Sequence, residues 1–382
     1  MKKTRVLIQG WRGINHSYAL VNQYQLLEPL KREDLALFHE DLPYAGKDWN
    51  RAQNHNGFVR ENTDLLDAIA PPDGGDMDVT YRIAFPYRVH GGNSRKIFCY
   101  GTCESRPIKG DHIYSGPEAH QRYANNKTEI VTPLHWSKKG FVRSGFRDEA
   151  VHIVPNGVDV AIFHPLPKEA KKQARVQLGI PPDKFAFLNV GAMTANKGID
   201  ILLLSFGEIH KKYPHSVLLL KDLRNLYGQS AQGEIANVKR QFPGRLASAA
   251  LRAIGVVPDS LDLQELCSLY NSSDAYISPY RAEGFALTPL EAAACGVLVA
   301  VTAGGGTDDY AQPSFALKIA SKPESDGPAT WQEPELDSVI ACMETLIEKR
   351  GAELNPAQGT AWIAENFSWT KAVDKLAALF TA

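Results

Sequence analysis

The chain has 382 residues, 42 of them Lys or Arg and 43 Asp or Glu, so a formal net charge of -1 offers no field to draw it to nucleic acid or to an anionic membrane. That length fills two ordinary domains rather than one. Five scattered cysteines, an odd number without CxxC spacing, argue against a disulfide or zinc framework and for reduced thiols in the cytoplasm. The opening MKKTRVLIQGWRG reads as a first strand rather than a leader, and no stretch approaches the roughly 20 apolar residues that cross a bilayer.

In chain order, Arg5 to Gln9 is a predicted strand that runs into Gly10-Trp11-Arg12-Gly13 and then a helix from Tyr18 to Lys31. Strand, glycine loop and helix open a Rossmann-like half, although the loop lacks the G-x-G-x-x-G spacing of a dinucleotide site. His16, near that helix start, is as much a capping or packing residue as a functional one. Leu35 to Phe38 is the next strand, and Gly46 to Phe58 is a polar, aromatic excursion suited to a binding surface or a lid. Asp76-Met77-Asp78 reads as a turn before the strand Val79 to Ile83 rather than as a metal motif. Lys96 to Tyr100 is a strand that places Glu104 just beyond its carboxyl end, where such a sheet presents chemistry or simply a surface carboxylate. A strand from Thr128 to Pro133 and a helix from Ser137 to Ser144 follow; Pro165 and Pro167 then mark a stiff linker.

Phe185 to Val190 opens a second Rossmann-like half and gives way to GAMTANKGID and a helix from Ile199 to Tyr213. Gly191 begins that loop, Lys197 precedes Gly198, and Lys221 ends the strand Ser216 to Leu220, with Arg224 beyond it reading as a solvated cation. Leu246 to Val257 is read as a strand and Leu263 to Asn271 as a helix. The stretch DAYISPYRAEGFALTPLEAAACGVLVAVTAGGGTDD follows, with a strand at Ala275 to Ser278, a helix at Leu290 to Cys295 and a strand at Val297 to Thr302. Its loop carries Glu283 and, eight positions beyond, Glu291, with Gly284 between them. A loop there lies at the carboxyl end of a parallel strand and the amino end of a helix, a place suited to anions. Thr288-Pro289-Leu290-Glu291 also spells a capping box, which would give Glu291 a purely structural duty. Helical patterns at Leu336 to Arg350 and Thr360 to Phe380 close the chain.

Taken in order, E-GFALTPL-E, the GAMTANKG loop and VHIVPNGVDVAIFHP at 151 to 165 resemble the retaining glycosyltransferases of GT-B fold, family four, the glycosyl transferases group 1. The resemblance covers most of residues 96 to 310. It implies an α/β protein of two Rossmann-like domains facing each other across a cleft. Residues 1–165 would form the acceptor side, 166–360 the donor domain, and 361–382 a helix crossing back to the first domain.

By position, the resemblance implies that Glu283 lies by the donor sugar and Glu291 binds the ribose hydroxyls. Gly284, Phe285, Ala286, Leu287 and Thr288 would meet sugar and phosphate, with Gly191 and Lys197 around the diphosphate, where Lys221, by its own place at a strand's carboxyl end, is a candidate to supply a further cation. Gly10, Gly13 and His16 would serve the acceptor side, and Glu104 would contact or deprotonate the acceptor. The family's arginine in the glycine-led loop is missing here, its place held by Ala192 or Met193. No metal or other cofactor is expected, with a nucleoside-diphosphate sugar as co-substrate and a glycan or lipid-linked acceptor. The implied setting is cytoplasmic cell-surface polysaccharide synthesis, with peripheral membrane contact as an open alternative. A nucleotide-sugar epimerase and a catalytically lapsed binding module are the competing readings.

Overall fold

A computed structural model describes residues 3–51, 57–104, 108, 112–113, 127–257, 261–324, 331–348 and 354–382. The chain divides into two compact units, Met1–Gly157 with Phe367–Ala382, and Val158–Asn366. The division therefore falls eight residues before the expected boundary after 165, and the returning segment begins at Phe367.

The first unit holds β1 (Thr4–Gly10), α1 (Ser17–Leu27), β2 (Leu35–Asp41), α2 (Arg60–Asp67), β3 (Val79–Ile83), β4 (Lys96–Tyr100), β5 (Thr128–Thr132), α3 (His135–Arg143) and β6 (Val151–Ile153). Its six strands are all parallel in the order β2-β1-β3-β4-β5-β6. Every residue of β3 is buried, as a strand covered on both faces must be. The order reverses direction between β1 and β3, so the glycine loop after β1 lies at this sheet's switch point. The Asp76-Met77-Asp78 turn edges the sheet: an Asp78 carboxylate oxygen accepts the Arg5 amide at 2.9 Å. The predicted excursion from Gly46 to Phe58 includes residues 52–56, which lie outside the described residues.

The second unit holds α4 (Lys168–Gln177), β7 (Phe185–Val190), α5 (Ile199–Lys212), β8 (Ser216–Lys221), α6 (Arg224–Tyr227), α7 (Ala231–Gln241), α8 (Ser248–Arg252), β9 (Ile254–Val257), α9 (Leu263–Ser272), β10 (Ala275–Ser278), α10 (Leu287–Ala294), β11 (Leu298–Thr302), β12 (Ala316–Ile319), the antiparallel pair β13 (Ser321–Pro323) and β14 (Gln332–Pro334), α11 (Leu336–Ile347) and α12 (Pro356–Asn366). Its main sheet is parallel in the order β12-β11-β10-β7-β8-β9. Here the switch lies between β7 and β10, and the loops after those two strands carry Lys197 and Glu283. The core beneath is built from the buried face of α5 (Leu202, Leu203, Phe206) against Phe187, Ile277 and Ala300 of the strands and Met343 of α11.

Two sequence readings are corrected. Leu246 to Val257 is not one strand but α8 followed by β9: Ser248–Arg252 is a single helical turn that delivers the chain to the sheet edge. Thr360 to Phe380 is two helices, α12 and α13 (Trp369–Thr381), because Ser368 turns extended and its hydroxyl accepts the Lys371 amide at 3.3 Å as an N-cap. α13 belongs to the first unit, where Phe380 packs on Tyr81 and Phe98.

Candidate functional site

The two loops at the second unit's switch point are sewn together by backbone. The Asn196 carbonyl accepts the amides of Arg281 (2.7 Å) and Ala282 (3.2 Å), and the Asn196 side-chain amide donates back to the Ala282 carbonyl at 3.1 Å. Gly198 sits so close to this seam, at φ +66°, that a Cβ there would lie 1.9 Å from the Pro279 carbonyl oxygen. Only glycine fits both the conformation and the gap. The seam leaves Lys197 and Glu283 one residue beyond it on either side, and the Lys197 Nζ donates to Glu283 Oε1 at 2.6 Å. The Glu283 side chain is mostly buried and the Lys197 side chain about a quarter exposed, so this pair is shielded more than a surface ion pair. The glycine run after β11 closes on the same loop: a Cβ on Gly306 would meet the Glu283 carbonyl oxygen at 2.6 Å. That run, Gly304 to Gly306, therefore packs against the loop of Glu283.

Beyond Glu283 the loop passes through Gly284 and Phe285 into α10. Ala286, the helix N-cap, is the one non-glycine with positive φ among the described residues (φ 62°, ψ 76°), and its carbonyl accepts the Tyr310 hydroxyl at 2.7 Å. A left-handed alanine costs on the order of 1 kcal/mol and persists only where surroundings impose it, as they do at many ligand sites. The helix begins at Leu287 rather than Leu290, since Pro289 in a first turn gives up no helical bond. Thr288 thus lies inside the helix, not at its cap, and its hydroxyl accepts from Tyr276 at 2.8 Å.

This removes the capping-box reading of Glu291. Its carboxylate is buried and accepts the Tyr270 hydroxyl of α9 at 2.8 Å. Burial drives its pKa up to about 7, against the lowering pull of the Tyr270 bond and the Lys221 charge. Lys221, 2 % exposed at the end of β8, thus stands near enough to act electrostatically on Glu291. Its carbonyl accepts the Gly191 amide at 3.0 Å. Ala192 and Met193, where a cation was sought, are buried, and Met193 joins the core. Arg224 is exposed at the start of α6.

Predicted residues of the second unit are thus brought together in two pairs, Lys197 with Glu283 in direct contact and Glu291 within electrostatic reach of Lys221, with Gly284 to Thr288 along the chain from Glu283 to Glu291. Arg281, Asn196 and Tyr270 were missed. Tyr270 sits in an apolar helical stripe that reads as core, and Arg281 reads as one more loop cation; only the fold turns them inward.

In the first unit, Gly10 ends β1 and the Gly13 amide donates to Gln23 Oε1 at 3.0 Å. His16 caps α1: its Nδ1 accepts the Tyr18 amide at 3.1 Å, so the proton sits on Nε2, and its ring lies 4.9 Å from that of Trp49. The capping role is the structural one anticipated for a histidine at that place. Glu104 is exposed beyond β4, where its charge pushes the Tyr18 hydroxyl pKa further upward, after burial and Tyr87. Among the described residues, no helix is long and apolar enough to cross a membrane.

Residues 170–325 match the family described as "Glycosyl transferases group 1". The chain is 29% identical over 243 residues to a D-inositol 3-phosphate glycosyltransferase of Segniliparus rotundus, covering 61% of this chain and 47% of that one. It is 25% identical over 162 residues to a mannosylfructose-phosphate synthase of Agrobacterium fabrum, covering 42% and 34%. The chain spans about half the length of the first of these relatives and a third of the second. Among solved structures, a glycosyltransferase from Rickettsia africae superposes with a TM-score of 0.72 at 14% identity, over 99% of this chain and 98% of that one. Anabaena HepE in complex with UDP-glucose gives 0.69 at 14% identity, over 99% of each. A third fold neighbour is WaaG, a glycosyltransferase involved in lipopolysaccharide biosynthesis, with a TM-score of 0.66 at 13% identity over 99% of this chain and all of that one.

Proposed function

We propose, for a chain of GT-B fold whose residues 170–325 match the glycosyl transferases group 1, the transfer of a sugar from a nucleoside-diphosphate sugar to a hydroxyl acceptor. The observation that carries this reading is the 2.6 Å contact of Lys197 with Glu283 on two loops stitched together at a sheet's switch point. In this reading the pair is a resting state that opens to admit the donor. The ammonium of Lys197 turns to the diphosphate, and the freed Glu283 carboxylate holds the sugar.

Glu291 takes the ribose hydroxyls. Lys221 and the amides from Gly284 to Leu287 add positive potential where the leaving group gathers charge, so that donors already in place stabilise the departing diphosphate without a bound metal. The acceptor hydroxyl attacks from the face that the diphosphate leaves, which retains the anomeric configuration. Acceptor-side duties for Gly10, Gly13, His16 and Glu104 are part of the proposal, Glu104 as contact or base. A cytoplasmic enzyme of cell-surface glycan assembly, in peripheral contact with the membrane where its acceptor is lipid-linked, is the setting that fits WaaG.

The structure of HepE with UDP-glucose makes that donor the first to assay, and the relatives' names put D-inositol 3-phosphate on the acceptor panel beside glycans. Thermal shift against nucleoside diphosphates, followed by donor turnover, tests the proposal. Slow donor hydrolysis that Glu283→Gln or Lys197→Ala lowers by at least about tenfold supports a transferase. An isomerised sugar would make it an epimerase. Tight binding without turnover would make it a lapsed module, a reading that the buried Ala192 in the arginine's place favours.

A further inference from the structure

Arg281 stands two residues before Glu283 and uses all five of its side-chain N–H donors. Nε donates to Glu333 at 2.5 Å and Nη2 to the same carboxylate at 2.9 Å. Nη1 and Nη2 each donate to Asp200 at 2.8 Å, and Nη1 also reaches the Ala195 carbonyl at 2.9 Å. The guanidinium side chain is only 12% exposed, and two carboxylates offset its charge. Its donors are therefore already committed to protein acceptors and not to a phosphate. What it does is join three pieces of chain: its own loop, the Ala195–Asp200 turn that enters α5, and β14, whose Gln332 amide donates to the Arg281 carbonyl at 2.8 Å.

We propose that Arg281 is a positioning residue whose clasp sets the separation between the Lys197 ammonium and the Glu283 carboxylate. Lys197 lies between Ala195 and Asp200, both of which Arg281 grips, and Glu283 hangs from the segment that begins at Arg281 itself. A fork with five fixed donors defines one arrangement of three segments, which three rotatable donors on a lysine cannot do. The inference deepens the donor role proposed for this pair and rests on it for its catalytic consequence.

Two readouts separate the geometry from the chemistry. The first is acylation of Lys197 by an amine-reactive anhydride, read peptide by peptide in a mass spectrometer. Arg281→Lys should expose Lys197 and speed its labelling several-fold, and Asp200→Asn should do so more weakly; both variants are compared with wild type well below their melting temperatures. The second is turnover of UDP-glucose, or of whichever donor binds. Arg281→Lys should lower kcat by at least about tenfold with a smaller change in KM, and in a Lys197→Ala background it should cost nothing further. Unchanged Lys197 labelling in both folded variants overturns the positioning role, as does a loss of turnover that simply adds to that of Lys197→Ala. Faster labelling in a protein that turns over no nucleotide sugar leaves the clasp standing and removes the transferase reading instead.

Discussion

The Tyr270 hydroxyl donates to the Glu291 carboxylate at 2.8 Å, and both side chains are buried. Burial dominates the carboxyl's pKa, raising it from 4.5 to about 7, while Tyr270 and then Lys221 pull it down. A carboxyl raised on folding lends stability in its protonated form. That contribution is complete below its ordinary pKa of 4.5 and is lost as pH rises through about 7. Nucleotide binding should run the other way, since the ionised form is the better acceptor for ribose hydroxyls. UDP affinity measured by calorimetry should therefore rise between about pH 6 and pH 8. In Tyr270→Phe, which removes a lowering influence, that rise should move to higher pH. A wild-type affinity flat across this range would count against Glu291 as the ribose residue.

Ala286 holds a left-handed backbone that glycine would adopt freely. Ala286→Gly relieves about 1–2 kcal/mol of strain and gives back about 0.5–1 kcal/mol in unfolded-chain entropy, so the protein should melt slightly higher. Ala286→Val should melt lower, because a branched side chain fits this region worst. If Ala286→Gly melts lower than wild type, the conformation is not a strained one.

Much of this site could be read before any coordinates. Glycine and proline punctuation located the loops that carry Lys197 and Glu283, because a parallel α/β sheet puts its loops where apolar runs stop, and the family resemblance singled out those two residues within them. The order β12-β11-β10-β7-β8-β9, which makes neighbours of loops 86 positions apart, is non-local and has no trace in periodicity. The same limit kept the capping-box alternative for Glu291 open: the local pattern Thr288-Pro289-Leu290-Glu291 is a sound capping box, but Tyr270, 21 positions upstream, donates to the carboxylate instead. At Leu246 to Val257 the apolar content was right for the core and the period too short to separate one helical turn from a strand. Arg281 stayed hidden because its partners, Asp200 and Glu333, lie 81 and 52 positions away.

Gly198→Ala should disrupt the seam. The new Cβ would meet the Pro279 carbonyl oxygen at 1.9 Å, a backbone atom with little room to yield, at a φ of +66°. Left-handed strain and forced displacement together should cost about 2–5 kcal/mol in denaturant unfolding of the second unit. Donor turnover should fall even where the variant remains folded, since Lys197 precedes this residue. A variant with wild-type stability would mean that the two loops are less tightly joined than the Asn196 bonds imply.

The returning helix α13 should be indispensable to the first unit. Trp369 stacks on Tyr24 with ring centroids 4.8 Å apart and planes at 12°, while farther along the helix Phe380 packs on Tyr81 and Phe98. Polar ties reinforce the apolar ones: Asp374 pairs with Arg32 at 2.5 Å, and the Leu379 carbonyl accepts Lys96 Nζ at 2.9 Å. Removing the buried indole by Trp369→Ala should cost about 3–5 kcal/mol, whereas Trp369→Phe keeps a ring against Tyr24 and should cost clearly less. Hydrogen exchange read by peptide locates the damage: β1, β3 and β4 should lose protection while β7, β10 and β11 keep theirs. Equal loss in both sets of strands would show that the two units unfold as one and that α13 does not belong energetically to the first.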